Sequence, residues 1–175
     1  MAIDKIQSES INLADNFAFT GTVTGAGGNM TPAFHAFLSS SQTGLSDGSE
    51  ATIACTSEIY DTDSAYDTST YKFTPQTAGK YFVYVQAVVD SSGNANLVGS
   101  DLYLYKNTTL AGRGNMNYQG NQIRLATLYT SAVLDMNGSS DYVIAKVYAD
   151  TGSGNWLITG SSWQGTYFGA YKIIT

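Results

Sequence analysis

The sequence predicts an all-β chain folded as a sandwich or barrel, and three observations carry that prediction. Clusters of Gly, Asn, Asp and Ser recur about every 10–15 residues and cut the chain into short segments. Within most segments apolar and polar residues alternate with a period of two, as on a half-buried strand. The stretch GKYFVYVQAVVD (79–90) is instead apolar on both faces, as a strand in the middle of a covered sheet would be. Thirteen Tyr suit half-buried sheet faces, where the ring packs and the hydroxyl reaches water.

The elements follow in order. Residues 1–31 carry short apolar pairs between polar residues and end in Gly25, Gly27 and Gly28, a hinge. FAFTGTVTG alternates like a strand from Phe17 to Val23, but this segment has too little apolar surface to fold alone. From Pro32 onward strand follows strand. PAFHAFLSS (32–40) alternates through Phe34 and Leu38, with Phe37 breaking the pattern, and EATIACTSEIY (50–60) carries Ile53, Cys55 and Ile59. STYKFTP (69–75) places Tyr71 and Phe73 on one face. SDLYLYKN (100–107) sets Leu102 and Leu104 against Tyr103 and Tyr105. Residues 123–136 could pass for a helix on apolar content, but their Thr and β-branched residues and the turn NGSSD favour a strand. Residues 141–150, 155–163 and 165–174 complete the series. Two units result: an N-terminal arm over 1–31 and one β domain over 32–175.

Composition narrows the function classes. Charged residues make up only 13% of the 175, and the net charge is −6. Eight scattered Lys and Arg cannot neutralise a phosphate backbone, which argues against nucleic-acid binding. The same acidity argues against an anionic membrane surface, and the run Tyr81–Val89 is far too short to cross a bilayer as a helix. MAIDKIQSESINLADNFAF lacks the apolar centre of a signal peptide, so a soluble chain made in the cytoplasm without export is expected. A single cysteine, Cys55, excludes a disulfide within the chain and reads as a small buried thiol.

The order of motifs resembles a known family. Ala33-Phe34-His35-Ala36-Phe37 is similar to the opening strand of the C1q-like globular head, the jelly roll shared with tumour-necrosis-factor-like proteins. Tyr66, Asp67, Thr70, Phe73, Pro75, Gly79 and Tyr81 resemble that family's central turn and strand motif. LYLYKN (102–107), SAVLDMNGSSDYVIAKVY (131–148) and SSWQGTYFGAYKI (161–173) are similar to its later strands, with two extra Ser between Gly138 and Asp141. The resemblance covers about residues 32–174. It implies a ten-stranded antiparallel jelly-roll sandwich that assembles as a homotrimer, with aromatic strand faces packed along a threefold axis. Pro75 would stiffen the corner after Phe73, and Gly79 would admit a backbone conformation that a Cβ penalises. For Tyr66, Phe73, Pro75, Gly79 and Tyr81 the expected role is architecture.

Candidate chemistry is sparse. His35, the only histidine, has no nucleophile-elbow motif beside it and reads as a packed or hydrogen-bonded sheet residue. Asp61 and Asp63 begin an EF-hand-like spacing, but the central Gly and terminal Glu are missing. Some relatives hold Ca2+, so these two are the Ca2+ candidates, and otherwise no cofactor is expected. GRGNMNYQGNQ (112–122) has no phosphate-loop Lys-Ser/Thr pair and reads as a long polar loop, like DSSGNAN (90–96). In a trimeric head such loops gather at an apex, with Asn94, Asn96, Arg113, Asn115, Asn117 and Tyr118 as contact candidates. Trp156 and Trp163 are expected in core or interface.

No enzyme is expected. The arm resembles the leaders of bacteriophage virion proteins, and the charge-poor Ser/Thr/Asn/Gly surface suits a particle exterior. The expected function is therefore a trimeric capsid decoration or cement protein. It would dock on the major capsid protein or another virion component through Ile3, Ile6, Ile11, Leu13, Phe17 and Phe19. The alternative is the receptor-binding tip of a tail or head fibre that recognises a host surface glycan or protein.

Overall fold

Alternation decides which way each side chain of a strand points. In Ala33–Phe37 (β1) it sends Phe34 and Ala36 inward, both fully buried, and leaves His35 and Phe37 half-buried on the other side. The computed structural model describes residues 30–173, so the expected arm and its anchoring residues Ile3, Ile6, Ile11, Leu13, Phe17 and Phe19 lie outside the described residues. After β1 come β2 (Gln42–Ser46), β3 (Ser49–Thr52), β4 (Ser57–Asp61), β5 (Tyr66–Asp67), β6 (Lys72–Phe73) and the long β7 (Gly79–Asp90). They are followed by β8 (Gly99–Lys106), β9 (Thr109–Asn117), β10 (Leu125–Met136), β11 (Val143–Asp150), β12 (Asn155–Ile158) and β13 (Tyr167–Lys172).

Two antiparallel sheets face each other. One runs β2-β12-β7-β13-β1-β4, with β10 on the far side of β7; the other runs β5-β6-β11-β8-β9, with β3 also on β11. Between them Phe34 stacks on Tyr66 at 4.6 Å and on Phe73 at 4.7 Å, and meets Phe168 edge-on at 5.0 Å. Trp156, Leu102, Leu104, Val83 and Val85 are among the fully buried side chains that continue the core. β9 carries Gly112 and Gly114 where it passes β10. A Cβ on Gly114 would lie 2.7 Å from the Tyr129 carbonyl oxygen, so glycine lets the two sheets close at that corner.

Four expectations are corrected here. The described residues form thirteen strand segments rather than ten, because several ladders are short or interrupted. The expected strand over 50–60 breaks into β3 and β4, which belong to different sheets: the chain crosses the core at Ile53 and Cys55, both buried. The expected strand over 69–75 shrinks to β6, because Asp67 folds the preceding residues into a turn. Its carboxylate accepts the Ser69 N–H (2.7 Å), the Ser69 hydroxyl (2.6 Å) and the Thr70 hydroxyl (2.8 Å). Tyr71 therefore sits at φ 58°, off the face of Phe73. Finally, β9 runs through Asn117, so most of the expected loop over 112–122 is strand.

The motif residues lie in the core and at its corner. Tyr66 donates its buried hydroxyl to the Cys55 carbonyl (2.9 Å), and Tyr81 donates to the Thr77 carbonyl (2.7 Å). Pro75 is buried, and Gly79 has φ 149° with the Lys172 side chain where a Cβ would go. Burial pushes the Cys55 thiol up to about 12.

The Asp67 turn has a pH signature. The Ser69 hydroxyl, then the Ser69 N–H and the Thr70 hydroxyl, hold the Asp67 carboxyl down to about 2. A carboxyl depressed on folding stabilises the turn above its unfolded pKa of about 3.9. That contribution is lost as pH falls through the folded value. The Ser69 amide resonance is expected to titrate with a midpoint of about 2 and to lose this step in Asp67→Ala. A midpoint at the unfolded value would mean the turn does not hold the carboxylate.

Candidate functional site: an aromatic sheet face

Strand register builds this site. On the outer side of the larger sheet, residues paired across β1, β13, β7 and β10 point the same way. One row reads Phe37, Tyr167, Gln86, Tyr129. The next reads His35, Gly169, Tyr84, Ser131, extended by Tyr60 of β4, and a third reads Ala33, Tyr171, Phe82, Val133. Across those four strands the rows carry Tyr, Phe, Val and small polar groups and no Asp, Glu, Lys or Arg. The exposed Lys80–Asp135 pair (2.7 Å) marks one end.

Gly169 lets the middle row pack. A Cβ there would overlap the Tyr84 ring, which lies across the gap and brings its hydroxyl 2.9 Å from His35 Nδ1. The His35 ring also lies 5.3 Å from Tyr167 and 6.3 Å from Tyr60. Burial lowers the His35 pKa, favouring the neutral ring, while burial and then the neighbouring Tyr60 raise that of Tyr84. Phe82 packs on Tyr171 at 5.5 Å and on Tyr84 at 6.0 Å. On β10, Tyr129 and Val133 are 51% and 56% exposed, so among the described residues the apolar face continues to the sheet edge without cover. The sequence pattern read Tyr81–Val89 as covered on both sides. The structure covers only the side of Tyr81, Val83, Val85, Ala87 and Val89.

A second feature gathers at one end of the sandwich. Asn94 and Asn96 sit in the β7–β8 turn, where Ser91 bridges to the Asn94 carbonyl and to Arg124. Tyr118 enters the same end by donating its N–H to the Val98 carbonyl (2.7 Å), and Asn117 closes β9 beside Gly99. Arg113 and Asn115 are not loop residues. They lie in β9 on the outside of the smaller sheet, and both bond Asp101 Oδ1 at 2.7 Å. Of the two tryptophans expected in core or interface, Trp156 is core, and Trp163 stands 90% exposed on the turn before β13.

The Ca2+ candidates do not converge. Asp61 turns its two oxygens to the N–H groups of Ala65 (3.0 Å) and Tyr66 (2.9 Å), and Asp63 is exposed beyond it. Among the described residues no three His, Cys, Asp or Glu side chains are placed to share a metal, and no helix is long and apolar enough to cross a membrane.

Comparison with protein-family models and with curated protein sequences gives no match. Solved structures do match. Eiger TNF from S. frugiperda superposes with a TM-score of 0.58 at 14% identity, over 83% of this chain and 94% of that one. Murine APRIL at pH 5.0 gives 0.56 at 12% identity, over 81% and 98%. This chain has the C1q/TNF-like jelly-roll fold. At such identities the likeness concerns the fold, and the jelly roll's aromatic face rests on this chain's own residues.

Proposed function

We propose that this jelly roll is a non-enzymatic structural protein of a bacteriophage virion: a homotrimeric capsid decoration or cement protein attached through its N-terminal arm. One observation carries the reading. An aromatic face without Asp, Glu, Lys or Arg spans β1, β13, β7 and β10 on the outside of the larger sheet and runs on to the exposed Tyr129 and Val133, and a continuous apolar surface of this kind marks a contact with another molecule. Three copies meeting on that face would bury Phe82, Tyr84, Tyr129, Val133, Tyr167 and Tyr171 along a threefold axis. The composition and the arm supply the particle context. Ile3, Ile6, Ile11, Leu13, Phe17 and Phe19 would lie in a cleft on the major capsid protein or another virion component. Three arms per trimer then turn a modest single contact into firm attachment.

Deleting residues 1–28 tests this. The shortened protein is expected to remain a folded trimer and to be missing from purified particles. Normal incorporation would overturn the arm's role. A second reading, the receptor-binding tip of a fibre, is favoured by the bare Trp163, which stands 90% exposed on the turn before β13. Copy number separates the two, hundreds per particle for decoration against a few trimers for a fibre.

A further inference from the structure

We infer that the outer face of the smaller sheet holds a binding groove for a terminal carboxylated sugar, of the uronic or sialic type. β3, β6, β8 and β11 together form a groove of about 380 Å³ there. Its floor is the nearly buried Ile144 and its walls are the Tyr105 and Tyr142 side chains. That volume sits at the small end of the range for ligand pockets and suits one or two sugar rings.

The charges define the ligand. In a chain of net charge −6 the groove holds two lysines, Lys72 and Lys146, against one carboxylate, Glu50. Lys146 pairs with Glu50 at 2.7 Å. Lys72 has no carboxylate partner among the described residues. Its ammonium is held 4.3 Å from the centre of the Tyr142 ring, which fixes its position without satisfying its three N–H donors. A single carboxylate would meet that need.

The remaining groups suit a sugar. Glu50 is positioned by Lys146 on one oxygen and by the Tyr105 hydroxyl (3.2 Å) on the other, and its spare lone pairs can accept sugar hydroxyls. The Tyr142 hydroxyl has no partner among the described residues, and Thr108 lies exposed on the rim. Tyrosine rings offer flat apolar surface to the C–H face of a pyranose and polar tips to its edge. A polyanion fits poorly: one unpaired cation cannot neutralise a row of phosphates or sulfates, and Glu50 repels them. The groove lies on the sheet opposite the aromatic face, so it stays open in the proposed trimer and does not depend on that reading.

The test uses the full chain with four probes: sialyllactose, its methyl ester, lactose, and a glucuronate-terminated disaccharide. Titration followed by amide and aromatic NMR shifts is expected to perturb Tyr105, Tyr142 and Lys72 with the two acids. Lactose and the ester are expected to bind about tenfold more weakly or not at all. Lys72→Gln should bring the acids down to the level of lactose, and Lys72→Arg should keep most of the difference. Shift mapping on the natural chain needs no variant, so a misfolded variant leaves the test intact. Equal binding of acid and neutral sugar, no binding of either acid, or shifts confined to other surfaces would each overturn the proposal.

Discussion

Val133→Asp is expected to leave a folded monomer where the natural chain is expected to sediment as the proposed trimer. In the isolated jelly roll Val133 is 56% exposed at the edge strand, so a carboxylate there stays solvated and should change monomer stability by about 0.5 kcal/mol or less. In the assembled state three such carboxylates would be brought together in an apolar contact, each costing several kcal/mol to bury unpaired. Tyr129→Asp should act in the same direction, since Tyr129 lies two rows away on the same strand face. Sedimentation velocity and a circular dichroism spectrum check both halves of the claim. A trimer mass retained by both variants would remove this face from the assembly. Arg113→Ala, on the other sheet, should leave the mass unchanged.

Phe34→Ala is the opposite case, expected to destroy stability and not assembly. Phe34 is fully buried among Tyr66, Phe73 and Phe168, with ring centres at 4.6–5.0 Å. Truncating such a ring costs about 3–5 kcal/mol through lost burial and the cavity left behind. In a domain of this size that lowers the thermal midpoint by roughly 10 °C. His35→Ala, one residue along, removes a half-buried ring on the outer face and should shift the midpoint far less. Both melts are best compared in the Val133→Asp background, where subunit dissociation does not contribute. Similar losses from the two variants would mean that the inside and outside of β1 have been misassigned.

The contrast between Phe34 and His35 also shows how far the sequence could be read. Alternation separates the two sides of a strand, and so the core face was legible through Phe34, Leu38, Leu102 and Leu104. The Pro75–Gly79 corner was legible because its chemistry is local. The aromatic face was not legible as a site. Its members come from β1, β4, β7, β10 and β13, and only the register places Tyr60, His35, Tyr84, Tyr167 and Val133 side by side. The break at Ile53–Cys55 was hidden for a related reason: crossing from one sheet to the other keeps residues apolar, so the pattern reads as one strand. In 112–122, glycine and asparagine imitate a loop. Gly112 and Gly114 are there because β9 runs against β10, and Asn115 and Asn117 are exposed residues of the β9 strand. The groove at Lys72 was equally silent, since the strands that form it, β3, β6, β8 and β11, are far apart along the chain.

The position of β13 has a consequence for how the protein is made. That strand is wedged between β1 and β7, with Ala33 opposite Tyr171 and Phe168 opposite Val85. Until residues 167–172 have left the ribosome, β1 and β7 have no common neighbour and the larger sheet has a gap at its centre. Tyr167 and Tyr171 arrive on that same strand, so the aromatic face exists only once the sheet is complete.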